Sequence, residues 1–82
     1  MARRGEPVRV AAIFEPGRCI RPVWFEHHRR QYRVVATTYC WREQEGETLF
    51  LHFTVTDGEA LFELVYNLAA GTWTLKGQQA ET

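Results

Sequence analysis

Lysine is nearly missing from this chain. Ten of its 82 residues are basic, and nine of those are arginine. Cysteine is scarce as well, with only two residues, Cys19 and Cys40. Their spacing is not the paired C-x(2–4)-C of a zinc knuckle, so no metal centre is expected from them. No apolar run approaches the ~20 residues that a membrane-spanning helix needs, so no membrane contact is expected. The start, MARRGEPVRV, has two arginines near its front but no apolar stretch of signal-peptide length behind them. A cytoplasmic setting follows as the expectation, with both cysteines as reduced, structural thiols. The G-x-S-x-G, Walker and H-E-x-x-H signatures are all missing. Neither catalysis nor a cofactor is therefore expected.

What is present is a well-filled core for one small domain. The hydrophobic fraction is 45%, and there are five Phe, three Tyr and three Trp. A buried aromatic removes about 150–250 Å² from water, which offsets the poor surface-to-volume ratio of so short a chain. Net charge is zero but lopsided. Residues 1–42 hold nine arginines against three glutamates, a balance of +6; residues 43–82 hold one lysine against seven acids, a balance of −6. Such asymmetry marks a basic face, unless adjacent antiparallel strands bring the halves together and the charges pair.

The chain reads as strands punctuated by turns. VRVAAIF (8–14) is apolar and ends at EPGR, where Pro16-Gly17 signals a turn. CIRPVWFE (19–26) resumes the strand pattern, and Pro22 inside it demands an edge or a bulge. QYRVVATTYCWRE (31–43) is long for one strand, so a bend or bulge is expected near residues 36–38. Gly46 suits a turn within the acidic loop EQEGE. TLFLHFTVT (48–56) alternates, with Leu49, Leu51, Phe53 and Val55 on one face. Asp57-Gly58 and Ala69-Ala70-Gly71 bound LFELVYNL (61–68), and TWTLKG (72–77) closes the pattern. Residues 57–71 also fit a helix, capped by Asp57 and ended by Gly71. Strands are preferred there because VYN and TWTL are β-prone.

These signals predict an all-β domain of five to six short antiparallel strands in a meander. The aromatic content predicts that it curls into a small barrel or a strongly bent sheet. The domain is expected over 8–77, with a flexible segment at 1–7 and a frayed polar tail at 78–82. Its expected core is Phe14, Trp24 or Phe25, Tyr32, Val34, Trp41, Leu51, Phe53, Phe62, Leu64, Tyr66, Trp73 and Leu75.

The spaced pattern PVWFEHHRRQYRV…YCWRE…HFTVTDGEALFELVYNLAAGTWTL resembles a family of small all-β bacterial domains of unknown function. Some members stand alone, and others are similar to tails of lesion-bypass DNA polymerases of the Y family. The positions that carry the likeness are Trp24, Tyr32, Arg33, Val34, Trp41, Arg42, Phe53, Asp57, Gly58, Glu63, Leu64, Trp73 and Leu75. These are mostly core and turn positions, so the resemblance implies a fold more than an activity. It supplies no catalytic residue. The chain departs from the pattern at His27-His28-Arg29-Arg30, where a glycine-containing turn is expected.

Three groups of residues invite a functional reading. Arg18, Arg21, His28, Arg29, Arg30, Arg33 and Arg42 are the candidate nucleic-acid contacts, since arginine forks suit phosphates and Trp24, Tyr32 and Trp41 suit stacked bases. Against this, a hairpin tip is polar in any case, and a pI near 6.8 falls short of a typical nucleic-acid binder. Adjacent His27 and His28 on a strand point to opposite faces and cannot share a metal unless a turn twists them together. His52 and Cys40 are conceivable further ligands. Cys19 or Cys40 with His52 and Glu63 can be written as a catalytic set, as can trios in any protein this size. The acidic loop Glu43, Glu45 and Glu47 lacks the burial that paired catalytic carboxylates need. The expectation is a non-catalytic accessory or binding module, nucleic-acid-associated through an arginine-rich hairpin face. The alternative is a protein-interaction or self-associating module, such as a homodimer, using exposed strand edges.

Overall fold

The computed structural model describes residues 5–80. Among these residues seven antiparallel strands form one sheet, with no helix. They are β1 (Glu6–Ile13), β2 (Arg21–His27), β3 (Arg30–Arg33), β4 (Ala36–Glu45), β5 (Thr48–Thr56), β6 (Ala60–Asn67) and β7 (Thr72–Ala80). The all-β class holds, with one strand more than expected. The extra strand comes from the long 31–43 segment, which breaks at Val34-Val35 into β3 and β4. The expected irregularity is also present, as a register shift between Thr37 and Tyr39. The 57–71 segment is strand β6 between two turns, so the helical option fails.

The sheet order is β3-β2-β1-β7-β6-β5-β4. Two meanders, β1–β3 and β4–β7, are therefore joined by pairing of the first strand with the last. This order explains the curl. In a flat sheet the two edge strands would lie six spacings apart, or about 29 Å. The Arg33-to-Ala36 link is three Cα steps, which reach no more than about 11 Å. The sheet must bend until its edges approach, and it forms a strongly curled half-barrel. At the corner Val34 N–H donates to Val23 O at 3.0 Å and Val35 N–H to Thr56 O at 2.8 Å.

The strands run past both expected limits. β1 begins at Glu6, inside the segment expected to be flexible, and Glu6 and Pro7 pair with Leu75 and Thr74. At the other end Gln78 and Gln79 pair with Phe62 and Leu61, where a frayed tail was expected. The remaining parts of those expectations, residues 1–4 and 81–82, lie outside the described residues. Pro22 sits at a bulge, where Ala11 opposes Trp24 and Ala12 opposes Pro22, leaving Val23 as the extra residue.

Inside the curl lie Phe25, Phe53, Val55, Phe62, Leu64, Trp73 and Leu75. Phe25, not Trp24, faces the core; its ring stacks on Tyr32 and meets Phe62 edge-on, each at 5.0 Å. Two expected core residues are elsewhere. Phe14 is 62% exposed because it follows β1 into the loop, where its ring only edges against Tyr66. Trp41 lies on the outer face, stacked on His52 at 4.7 Å.

The Asp57-Gly58 turn is held by its aspartate. Asp57 Oδ1 accepts from the backbone N–H groups of Glu59 and Ala60, both at 2.9 Å. These bonds, that to Glu59 first, lower the Asp57 pKa, with a smaller contribution from nearby Arg30. A lowered folded-state pKa means that this stabilisation is full above the ordinary aspartate range. It is lost as pH falls through the lowered value. Asp57→Ala is expected to cost about 1–2 kcal/mol at neutral pH and less in acid. Urea unfolding at the two pH values reads the difference.

Candidate functional site

The seven candidate nucleic-acid contacts do not form one cluster. All are exposed, and they divide between two places. Arg18, Arg21 and Arg42 gather at the open side of the half-barrel, where the loop between β1 and β2 faces β4. Two adjoining grooves lie there, of about 420 and about 640 Å³. Both are lined by Arg18, Cys19, Ile20 and Cys40; Arg21 lines the first and Arg42 the second. His28, Arg29, Arg30 and Arg33 belong to the β2–β3 hairpin at the sheet's short edge. Arg30 lies over the Tyr32 ring at 4.9 Å.

Among the described residues no arginine–carboxylate ion pair bridges the two halves, although Arg30 lies near enough to Asp57 to help lower its pKa. Ion pairs form mainly within each half: Arg9 with Glu26 at 3.4 Å, Arg18 with Glu15 at 4.0 Å, and Lys76 with Glu63 at 3.9 Å. The sheet order is the cause, since only β1 and β7 join the two meanders along a shared ladder. Among the described residues no carboxylate forms an ion pair with Arg21, Arg29, Arg33 or Arg42.

His52 keeps Glu63 beside it but is separated from Cys40. It is buried on the outer face of β5, with Nε2 2.9 Å from Glu43 Oε1 and Nδ1 3.2 Å from Glu63 Oε2. Cys40 pairs with Phe53 in register, so its side chain takes the inner face. The trio Cys40, His52 and Glu63 is thus divided by the sheet, and so is the ligand set of His52 with Cys40. Glu43 and Glu45, expected in an acidic loop, lie instead at the end of β4, and Glu43 is one of the carboxylates that hold His52.

The two thiols meet across the seam. Cys40 Sγ donates to Cys19 Sγ at 3.4 Å, although 21 positions separate them. Burial pushes the Cys40 pKa up, assisted by that hydrogen bond. Cys19 is the exposed partner.

At the hairpin tip, His28 and Arg29 have positive φ, 54° and 66°. His27 and Arg30 remain paired on either side. This is the two-residue type I′ geometry usually built from Asn-Gly, here made by His-Arg. The turn carries His28 out of the strand, so the alternation that separates adjacent side chains no longer applies. Both imidazoles come to the same atom of β1: Glu6 Oε1 is 2.5 Å from His27 Nε2 and 3.2 Å from His28 Nε2. These bonds, that to His27 first, lower the Glu6 pKa. Sequence reasoning missed Glu6, because nothing local links it to a tip more than twenty residues away.

No protein-family model matches the chain, and neither a curated protein nor a solved structure is detectably similar to it.

Proposed function

We propose that this chain is a non-catalytic binding module that takes a single-stranded nucleic acid along the open seam of its half-barrel. The observation that carries this reading is the placement of Arg18, Arg21 and Arg42 around two adjoining grooves, with Arg21 and Arg42 outside any ion pair among the described residues. Guanidinium groups so placed are available to phosphates. Tyr39 and Trp41, tilted rings 5.3 Å apart on the outer face of β4, offer a surface just around the edge strand from the seam on which bases can stack. Tyr39 is 65% exposed.

The test is fluorescence anisotropy with labelled single- and double-stranded DNA and RNA at about 50 and about 200 mM salt. Single strands are expected to bind at the lower salt and to weaken steeply at the higher. Arg21→Glu with Arg42→Glu is expected to weaken binding by about tenfold or more while the circular dichroism spectrum stays unchanged. Arg29→Glu with Arg30→Glu asks the same of the hairpin; equal loss there would extend the contact around the edge. No binding to any probe at the lower salt rejects the proposal.

The second reading, self-association, has its own support. Among the described residues β4 is a ten-residue edge strand whose one ladder neighbour is β5, with Tyr39 exposed along it. An open edge of that length is a template for another strand. Concentration-dependent sedimentation without nucleic-acid binding would favour this reading.

A further inference from the structure

We propose that Glu6, His27 and His28 form a binding site for one divalent transition-metal ion of the zinc and copper class. The site goes beyond the seam and the function proposed for it. Its three ligand atoms lie within 4.8 Å of one another. In a tetrahedral site with metal–nitrogen bonds of about 2.0–2.1 Å, neighbouring donors are about 3.3 Å apart. The His28–Glu6 separation of 3.2 Å already matches this. His27 and Glu6, at 2.5 Å, need only open by less than an ångström. The imidazoles themselves are close, with centroids 4.0 Å apart and planes tilted by 59°, and they need to spread by about an ångström to take two vertices of one ion.

The backbone supports the arrangement at a cost. His28 and Arg29 both occupy the left-handed region that non-glycine residues seldom adopt. An Asn-Gly turn would close the same hairpin with less strain, but without a ligand. Just before the facing strand Gly5 has φ 121°, and a Cβ there would fall 2.4 Å from Leu75 O. That close approach locks the start of β1 against β7, just before Glu6. Two of the ligands therefore sit on ladder strands and the third on a two-residue turn, which holds them with little freedom.

The chemistry favours borderline ions. Two neutral imidazoles and one carboxylate suit zinc, copper and nickel better than calcium or magnesium, which prefer all-oxygen sets. His28 is 71% exposed and Glu6 54%, so the ion can enter from solvent and keep an open position. The surrounding depression, of about 660 Å³, is also lined by Arg29 and Glu26.

Isothermal titration of the tag-free full chain with Zn²⁺ tests the site, with Ca²⁺ as the comparison ion. One equivalent of Zn²⁺ is expected to bind, and Ca²⁺ is not. His28→Ala, at an exposed side chain, is expected to weaken Zn²⁺ binding by at least about tenfold, as even loss of a group that only supports a ligand does. Glu6→Gln should weaken it in the same direction. Cys19→Ser with Cys40→Ser is expected to leave it unchanged. Electron paramagnetic resonance of the Cu²⁺ form should show coupling to two imidazole nitrogens, reduced to one in His28→Ala. The proposal fails if the wild type binds no Zn²⁺, if His28→Ala binds as tightly as the wild type, or if the cysteine variant loses the ion.

Discussion

Phe25→Ala is expected to remove about a quarter or more of the chain's folding stability. Phe25 is fully buried, and its ring packs β2 against both β3 and β6. It stacks on Tyr32 of β3 and meets Phe62 of β6, while Tyr32 and Phe62 touch each other at 5.1 Å. These three rings hold the β2–β3 hairpin down over the far side of the sheet. Removing the middle one deletes its transfer free energy and leaves a cavity, together costing about 3–5 kcal/mol. A chain of this size has about 4–12 kcal/mol in all. The contrast is Trp24→Ala, one position away on the opposite face, where Arg9 lies 5.9 Å from the ring centre. That substitution is expected to cost much less. Thermal unfolding of both variants decides it; equal losses would mean that the curl is not held from inside.

Oxidation is expected to raise the melting temperature through a Cys19–Cys40 disulfide. Treatment with diamide removes two protons and two electrons from the thiols, forms one S–S bond and reduces the diamide to its hydrazine. The sulfurs start 3.4 Å apart and must close to about 2.05 Å, a shift that the irregular loop before β2 can supply. Exposed Cys19 meets the oxidant first. Cys40, whose raised pKa disfavours its thiolate, completes the bond. With 21 positions between the cysteines, the loop-closure estimate is about 3 kcal/mol. For a domain of this length that corresponds to a rise of about 12–24 °C. Cys40→Ser should abolish the rise. Disulfide-linked dimers in place of the internal bond would show that the loop cannot close. Because both cysteines line the two arginine-bearing grooves, the oxidised chain is also a direct probe of the seam: nucleic-acid binding should change with it.

The features legible in the sequence were the local ones. Alternation in 48–56 put Leu49, Leu51, Phe53 and Val55 on one face of a strand. Gly17, Gly46, Gly58 and Gly71 marked turns, and all four have positive φ. The bulge near residues 36–38 followed from the length of the segment alone. Trp24 and Phe25 could not be told apart, because adjacent aromatics alternate in either register; the bulge at Val23 and the pairing of Phe25 with Val10 settled the choice. Phe14 was misplaced because an apolar residue at a strand end looks the same whether the strand continues or stops. The basic residues were legible as types but not as a surface. Their division between the seam and the hairpin follows from strand order, which no spacing reveals.

The pattern of apolar residues and turns was enough by itself to determine an all-β chain, because period-two alternation and turn chemistry act within a few residues. Pairing of the first strand with the last, the curl it imposes through a two-residue link, and the meetings of Glu6 with His27 and His28 and of Cys19 with Cys40 were decided only in three dimensions. The side-chain meetings join residues about twenty positions apart, and the first and last strands pair residues more than sixty apart. Their geometry depends on sheet order, bulges and one tight turn acting together, and no short stretch of sequence holds all of that information.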